Sequence, residues 1–325
     1  MTRPGSSTGS HSQVSLLLSK KGHQEEASTI MPHKTPEHTE AFVNYYPKLQ
    51  DGETYPIQYI ATIGFQRQNF NRQLVKVTDM RSSDETFSVD KQGFQVIEST
   101  IPESTWEDDA AIQKQSYYPQ VREMLMKATG ATYVHPFPPH VIRRDPAQSI
   151  ADIPKDLPDS ARHNKSPPAQ FVHVDQSYDG AQIVLDRLPD VEQLRPKTKT
   201  RWGIINVWQP LKPVKREPLA VCDARSVDES DLRAVTTRIV FGEALNTRNV
   251  DNEQWHMVAK PEHKWFYCSD MTPQEALLIK IFDSKKDGRA RRVPHTAIQT
   301  PSDFGPPRES IEIRCLVFWE DQDLE

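Results

Sequence analysis

The sequence predicts a mainly β protein with flanking helices, arranged as a jelly roll. Three observations carry this prediction: many short apolar segments show the character of strands, turn residues separate them, and few segments have helical spacing. Many strands with one or two helices outside them fit a closed or nearly closed β architecture better than β-α-β units. We expect one large domain, since β domains of roughly 200 residues or more are common.

The start of the chain is not expected to fold. Residues 1–38 are mainly Ser, Thr, Gly, Lys, His and Glu without a sustained period, so ordering them would bury little apolar surface. We therefore predict a disordered tail at 1–38 and a single domain at 39–325. The first recognisable strands are at 57–60 and 74–77, and a turn follows at 78–81.

The middle of the chain is predicted to contain helices and a long loop. Apolar side chains recur at helical spacing in residues 107–127, and Gly130 follows as a stop, which predicts an outer supporting helix. Short extended segments are expected at 131–134 and 141–142. The Pro-rich residues 136–168 cannot form a continuous helix and are predicted to be a surface loop. Together with residues 55–70, this loop is expected to cover a binding site as a lid.

The second half of the chain is predicted to alternate strands with turns, interrupted by one helix at residues 181–194. Strands are expected at residues 170–174, 203–208, 219–222, 255–258, 265–268, 276–282, 292–296 and 310–319.

Composition excludes several classes of protein. The net charge is -5, and the basic residues are scattered along the chain, which argues against a nucleic-acid partner. The three cysteines, Cys222, Cys268 and Cys315, form no CxxC pair, which argues against a disulfide framework and a cysteine zinc site. No apolar run has the length of a signal peptide or a membrane span. We expect a cytoplasmic protein without a membrane partner.

A candidate metal site begins at His173 and Asp175, which share one face of a predicted strand because side chains alternate with a period of two. Alone, such a pair is more often a hydrogen-bonded His and Asp. His295, in a late strand, supplies a second imidazole. Two imidazoles and one carboxylate leave coordination positions open for a cosubstrate and dioxygen, which favours Fe(II) over structural zinc.

A candidate cosubstrate site follows at the head of the last strand. Arg308 and Ser310 are two residues apart and lie on one strand face, where they could clamp the distal carboxylate of 2-oxoglutarate. The alternative for Arg308 is a solvated side chain beside a loop proline. In the 203–208 strand, Asn206 and Trp208 share a face, and Asn206 either orients a ligand oxygen or is a core residue satisfied by backbone. Arg291 is either a surface residue or a contact to an anionic substrate.

The other histidines have no partner at the spacing of metal ligands and are interpreted as loop or core residues: His135, His140, His163, His256 and His263.

Matching segments spread along most of the chain carry a family resemblance: 173–177, 205–210, 218–225, 265–273, 282–284, 294–296 and 306–314. They resemble fungal and bacterial oxygenases related to gibberellin GA4 desaturase, to asperfuranone-type hydroxylase/desaturases and to the small subunit of the cephamycin 7α-methoxylation system. The resemblance covers roughly residues 55 to 320. It implies a double-stranded β-helix, the cupin-like jelly roll, with iron at His173, Asp175 and His295 and 2-oxoglutarate near the last strand.

The resemblance also implies a function. It predicts an Fe(II)/2-oxoglutarate-dependent dioxygenase that hydroxylates, desaturates or cyclises a small natural product in secondary metabolism, with O2 as oxidant. Arg314 shares a face with Arg308, so either could hold 2-oxoglutarate. Arg308 is favoured, because Arg-x-Ser at a strand start is usual in related oxygenases, and Glu312 and Arg314 would then form an inward ion pair. Open alternatives are a non-catalytic accessory subunit, a cupin-like metalloenzyme without 2-oxoglutarate, and a homodimer.

Overall fold

Two β-sheets account for most of the computed structural model, which describes residues 37–50, 53–99, 101, 117–146, 150–163, 167–239 and 250–324. Its strands are β1 (His38–Tyr45), β2 (Gln58–Ile60), β3 (Asn71–Asp79), β4 (Phe94–Glu98), β5 (Tyr133–Arg143), β6 (His173–Val174), β7 (Arg201–Pro210), β8 (Leu219–Cys222), β9 (Leu232–Ile239), β10 (Val250–Met257), β11 (Trp265–Tyr267), β12 (Glu275–Asp283), β13 (His295–Ala297) and β14 (Ser310–Trp319). The α-helices in these residues are α1 (Ile63–Gln66), α2 (Tyr118–Thr129), α3 (Tyr178–Arg187) and α4 (Val191–Leu194).

The larger sheet has nine strands in the order β1-β3-β11-β8-β13-β6-β10-β9-β2, and the smaller has five in the order β4-β12-β7-β14-β5. Neighbours pair antiparallel, except β3 with β11 and β2 with β9, which pair parallel. Few neighbouring strands are consecutive in sequence, which is typical of a jelly roll. The mainly β prediction is confirmed.

The main core lies between the sheets, because side chains from both inner faces meet there. Val174 and Val221 of the larger sheet belong to the same buried cluster as Leu277 and Leu316 of the smaller sheet. The smaller sheet is buried on its other face too, where Val121 of α2 joins a cluster with residues of β7, β12 and β14. Helix α2 is thus the outer supporting helix that the sequence predicts, and it ends at Gly130, whose φ of 68° is left-handed.

The Pro-rich segment differs from its prediction. The extended segments predicted at 131–134 and 141–142 lie largely in strand β5, but residues 136–140 between them, predicted as loop, also belong to this strand, which contains Pro136 and Pro138 and pairs with β14. Because β5 is the outermost strand of its sheet, a proline there need not donate a hydrogen bond on the open side. A register shift opposite Glu312 and Arg314 accommodates the irregular stretch.

The helix predicted at residues 181–194 begins earlier and is broken. Ser177 is the N-cap of α3, and its hydroxyl accepts from the amide of Gly180. Leu188 is extended because Pro189 follows it, and this separates α3 from α4. Strand β1, in which Ala41, Val43 and Tyr45 are buried at alternate positions, was not predicted.

Some expectations fall outside the described residues. The disordered tail concerns residues 1–36 almost entirely, and the first half of the helix expected at 107–127 lies within residues 102–116. Both stay predictions. None of the helices in the described part of the chain combines the length and the apolar character that crossing a membrane requires.

Candidate active site

Three buried side chains converge between the two sheets. His173 opens β6, Asp175 follows that strand by one residue, and His295 opens the neighbouring strand β13. One potential ligand atom from each residue lies within 4.8 Å of the others, and this is the one such group of His, Cys, Asp or Glu found among the described residues. The sequence predicted this set, and the fold brings it together.

Each imidazole is oriented by its own chain. The Nδ1 atom of His173 lies 2.9 Å from the carbonyl oxygen of Phe171, and Nδ1 of His295 lies 3.0 Å from that of Val293. A carbonyl can only accept, so both Nδ1 atoms carry hydrogen, and Nε2 is the nitrogen that each ring can offer to a metal. Burial and the neighbouring His173 lower the pKa of His295 to about 4, which keeps that ring neutral at pH 7.

The carboxylate is held from one side only. Oδ2 of Asp175 accepts from Nδ2 of Asn206 at 2.9 Å and from Nε of Arg314 at 3.0 Å, while Oδ1 faces Nε2 of His173 at 3.4 Å. Burial opposes the charge, but Arg314 and the two imidazoles hold the pKa of Asp175 well below its usual value. Asp175 is thus an ionised carboxylate that is held in a fixed orientation close to Nε2 of His173 and of His295.

A close packing contact fixes the chain after Asp175. The backbone of Ser177 donates to the carbonyl of Glu253 in β10, and its side chain caps α3 and donates to the Glu253 carboxylate. A β-carbon on Gly180 would lie 2.1 Å from the backbone oxygen of Glu253, so only glycine fits there. The first turn of α3 therefore anchors the metal-binding segment to β10.

A polar cavity adjoins the three residues. It is lined by Arg143, Ala169, His173, Asp175, Trp208, Leu219, His295, Thr296, Ala297, Arg308, Glu312 and Arg314. Arg308 is buried, stacks over Trp208 with 5.1 Å from its guanidinium carbon to the ring centroid, and donates to the carbonyl of Glu217. Its Nε is buried and has no partner among the described residues.

Arg143 of β5 is a site residue that the sequence analysis missed. Its guanidinium donates to the carbonyl of Pro167 and lines the same cavity. Burial, and then the nearby Arg143, lower the pKa of Arg308. The two guanidinium groups therefore repel each other in a region that water solvates poorly. Because the prolines around Arg143 predicted a loop, its position opposite Ser310 of β14 could not be anticipated.

Other predicted site residues lie as follows. Arg314 does not pair with Glu312: it contacts Asp175, and Glu312 accepts from Asn206 at 2.6 Å instead. Burial and the neighbouring Asp175 raise the pKa of Glu312 to about 7. Ser310 is buried opposite Arg143 but is not among the residues that line the cavity.

Arg291 is placed away from this site. Its guanidinium lies 3.9 Å from the ring centroid of Tyr178 and donates to the carbonyl of Asp283. It lines neither this cavity nor a second one, of about 520 Å³, bounded by residues that include Tyr46, Tyr55 and Phe65. The structure does not support a contact between Arg291 and a substrate.

His256, interpreted from the sequence as a loop or core residue, lies beside the candidate metal ligands. The register pairs His173 with His295 on one side and with His256 of β10 on the other, so three imidazoles form a row across the larger sheet. His256 is fully buried, and neither of its ring nitrogens has a partner among the described residues.

Comparisons with known proteins agree with this geometry. Residues 43–318 match a family model described as an oxidoreductase/YMDC permease-like domain. The hydroxylase/desaturase efuI of Hormonema carpetanum is 43% identical over 287 residues, which cover 87% of this chain and 96% of efuI. The hydroxylase/desaturase CTB9 of Cercospora beticola is 43% identical over 288 residues, 87% of either chain.

This chain belongs to the hydroxylase/desaturase family of Fe(II)/2-oxoglutarate-dependent dioxygenases.

A solved structure of the iron and alpha-ketoglutarate-dependent endoperoxidase NvfI supports the fold of this dioxygenase. It superposes with a TM-score of 0.70 at 25% identity and covers 87% of this chain and 98% of its own. The predicted double-stranded β-helix is therefore confirmed, as are the predicted cofactors Fe(II) and 2-oxoglutarate. The dioxygenase is an enzyme of fungal secondary metabolism that acts on a small-molecule metabolite, which sets aside the accessory-subunit and cupin-like alternatives.

Proposed function

We propose that His173, Asp175 and His295 bind the Fe(II) of this dioxygenase, and that Arg308 and Arg143 bind the distal carboxylate of 2-oxoglutarate. The substrate would be a small natural product that is hydroxylated, desaturated or cyclised at a carbon near the iron. The observation that carries the proposal is the convergence of two oriented imidazoles and one oriented carboxylate on one buried point.

The donor set fits Fe(II). Two imidazole nitrogens and one carboxylate oxygen, with no thiolate in the group, are the ligand set of oxygen-activating Fe(II) sites. Asn206 and Arg314 hold the carboxylate from behind, and the backbone carbonyls fix both rings, so little ordering would be needed when the metal binds.

The charge of the residues that line the cavity beside these ligands suits a dicarboxylate. Arg308 and Arg143 are two poorly solvated cations, and Nε of Arg308 lacks an acceptor within the described chain. An anion placed between the guanidinium groups would satisfy the free donor and relieve their repulsion. The ring of Trp208 lies against the guanidinium group of Arg308. In this assignment Arg314 donates to Asp175 and does not bind 2-oxoglutarate.

The residues around the site have separate tasks in the reaction. When bound, Fe(II) and 2-oxoglutarate supply the activation of dioxygen that oxidises a C–H bond of the substrate. The protein holds the two ligands through the residues named above and surrounds them with buried side chains, which excludes water. The choice between hydroxylation, desaturation and cyclisation then depends on how the substrate is positioned.

An anaerobic titration tests the proposal. Fe(II)-loaded enzyme is titrated with 2-oxoglutarate while the visible absorption band of the iron–keto acid complex is recorded. We expect His295→Ala to lose iron binding. We expect Arg308→Ala and Arg143→Ala to bind iron but to weaken 2-oxoglutarate by roughly 10- to 150-fold, as loss of a hydrogen bond to a charged group predicts.

Arg291→Ala is the matched control, since this arginine lines neither cavity. Iron binding that survives in His295→Ala would refute the metal assignment. If Arg291→Ala weakened 2-oxoglutarate as much as Arg308→Ala does, the effect would reflect net charge, and the cosubstrate assignment would fail.

We further propose a cytoplasmic location, which is supported by the three cysteines, all buried and none in a disulfide within the described residues. A homodimer stays a prediction that light scattering of the purified protein would check.

A further inference from the structure

A buried carboxylate lies beside Arg308 and is not among the residues that line the cosubstrate cavity, the polar cavity that contains Arg143 and Arg308. It belongs to Glu217, two residues before β8, which is fully buried and whose backbone carbonyl accepts from Nη1 of Arg308 at 2.6 Å. Burial and the nearby Arg143 lower the pKa of Arg308, whereas the negative charge of Glu217 opposes this change. The Glu217 carboxylate is therefore close enough to stabilise the charge of the guanidinium group.

The backbone of Glu217 has a conformation that favours glycine. Its φ is 50°, in the left-handed region, where a β-carbon crowds the neighbouring backbone. A hydrogen bond on each side of the residue holds this conformation: the amide donates to Oδ2 of Asp303 at 3.0 Å, and the carbonyl accepts from Arg308. A glutamate is thus present where glycine would fit the backbone with less strain.

One oxygen of the Glu217 carboxylate is held in place. Oε1 accepts from Nε2 of Gln170 at 2.8 Å, and the carbonyl of Gln170 accepts in turn from Nδ2 of Asn44 at 2.6 Å, which ties Gln170 to β1. These contacts use neither Arg143 nor Arg308. The carboxylate is therefore held beside Arg308 by groups that do not bind an anion.

The other oxygen interacts through its charge alone. Oε2 of Glu217 is buried and has no hydrogen-bond partner among the described residues. Nε of Arg216 lies 3.7 Å from it, beyond hydrogen-bond distance, and the Arg216 side chain is 36% exposed, so water screens this pair. A buried carboxylate needs a compensating cation, and Arg308 is the buried one beside it.

An anion in the cosubstrate cavity would share Arg308 with Glu217. The distal carboxylate of 2-oxoglutarate has the same charge as the Glu217 carboxylate, so each weakens the interaction of the other with the guanidinium group. Succinate, which forms when 2-oxoglutarate loses carbon dioxide, keeps the distal carboxylate. The same competition therefore acts on the product.

We propose that Glu217 is an internal counter-ion of the cosubstrate site. Its carboxylate competes with the distal carboxylate of 2-oxoglutarate for Arg308, which weakens the binding of 2-oxoglutarate and promotes the release of succinate. This rests on the proposed function, since it assumes that Arg308 binds the cosubstrate.

Glu217→Gln tests the proposal, because glutamine has the shape of glutamate and lacks its charge. The amide oxygen can still accept from Gln170, and the backbone carbonyl can still accept from Arg308. In an anaerobic titration of the Fe(II)-loaded enzyme, the dissociation constant for 2-oxoglutarate should be roughly 3- to 10-fold lower than in the wild type, as expected from removal of one like charge at the effective dielectric constant of proteins. Competition with succinate should show that the product also binds more tightly, by a similar factor.

Glu309→Gln is the matched control. It removes the same charge one residue from Arg308, but the Glu309 carboxylate pairs with Lys212 and Arg144, whose side chains are exposed. We expect its affinity for 2-oxoglutarate to equal that of the wild type. The tighter binding of Glu217→Gln should persist in about 0.5 M salt, because buried charges are screened little.

Glu217→Gly provides a second variant that lacks the charge. Glycine adopts the left-handed backbone freely and keeps the carbonyl that accepts from Arg308, so this variant should also bind 2-oxoglutarate more tightly than the wild type.

The direction of the change separates a counter-ion from a residue that only supports Arg308, because loss of support would weaken 2-oxoglutarate. Unchanged or weaker binding in Glu217→Gln would overturn the proposal, and if that variant does not fold, the same result in Glu217→Gly would do so. Equally tightened binding in Glu309→Gln would also overturn it, since the effect would then reflect net charge. If Arg308→Ala bound 2-oxoglutarate as the wild type does, the proposed function would fail instead.

Discussion

Replacing Asn206 by leucine tests whether the support behind Asp175 sets the affinity for iron. Oδ2 of Asp175 accepts two hydrogen bonds, and Asn206 supplies one of them at 2.9 Å. Leucine has a similar size and cannot donate. The same amide nitrogen also donates to Glu312, so its loss removes the donor that Asp175 and Glu312 share and leaves Arg314 as the remaining donor to Asp175.

The expected effect can be worked from these contacts. A hydrogen bond to a charged group is worth about 1.5–3 kcal/mol, and Arg314 still holds the carboxylate in the variant, so the lower end applies. A loss of about 1.5–2 kcal/mol corresponds to a roughly 10- to 30-fold weaker affinity for Fe(II), which agrees with the usual effect of groups that orient metal ligands.

The assay is anaerobic competition for Fe(II) between the enzyme and a coloured chelator. Gln209→Leu is the control: Gln209 is also a fully buried side-chain amide of β7, but it bonds to Ser99, Tyr117 and Pro273, on the other face of the strand. It should lower thermal stability and leave the iron affinity unchanged. The reasoning is refuted if Asn206→Leu binds iron as the wild type does, or if both variants lose affinity equally.

Three further outcomes are expected. Burial, and then the nearby His173, lower the pKa of His256 to about 3, so His256 stays neutral in the native state while it gains a proton below about pH 6.5 in the unfolded chain. The unfolding free energy of the metal-free wild type should therefore fall as the pH is lowered, by about 1.4 kcal/mol per pH unit more than that of His256→Phe between roughly pH 6 and pH 4. Urea denaturation measures this difference. Asp283→Ala should cost about 3–5 kcal/mol, because it removes the fully buried carboxylate shared by Lys280, at 2.8 Å, and Arg201, at 2.6 Å, and leaves both cations with only the more exposed Asp90 as an anionic partner. The exposed Asp287→Ala should cost under about 1 kcal/mol in the same assay. Gly180→Ala should weaken Fe(II) binding measurably in the chelator assay. The added β-carbon would push α3 away from Glu253, and this would move the chain between Asp175 and α3. An unchanged affinity for Fe(II) would count against the anchoring role of α3.

The sequence could predict those parts of the site that depend on local spacing. The period of two in a strand places His173 and Asp175 on one face, and it also places Asn206 beside Trp208. The strands β8 and β14 were predicted with the bounds that they have, because turn residues flank clear apolar runs. The family resemblance supplied the link between these positions and His295.

The rest of the site depends on contacts between distant strands. Nothing in the segment around His256 indicates that β10 pairs with β6, and only this pairing places His256 beside His173. The place of Arg143 in the site could not be predicted for a different reason. Prolines usually mark loops, and strand β5 accommodates them because it lies at the edge of its sheet. The partner of Arg314 was predicted as Glu312 on the same strand, but Asp175 reaches it from the opposite sheet.

The position of Phe171 limits how the enzyme can diverge. Its carbonyl and its ring both contact His173, and the ring also contacts Phe65 and Phe70. A substitution of Phe171 that admits a new substrate would also disturb His173, so a wider substrate range would come with a lower affinity for iron. Changes at Phe65 or Phe70, which contact the ring of Phe171 and have no described contact with a metal ligand, do not have this effect. Homologues with different substrates are therefore expected to vary at these two positions and to keep an aromatic residue at the position of Phe171.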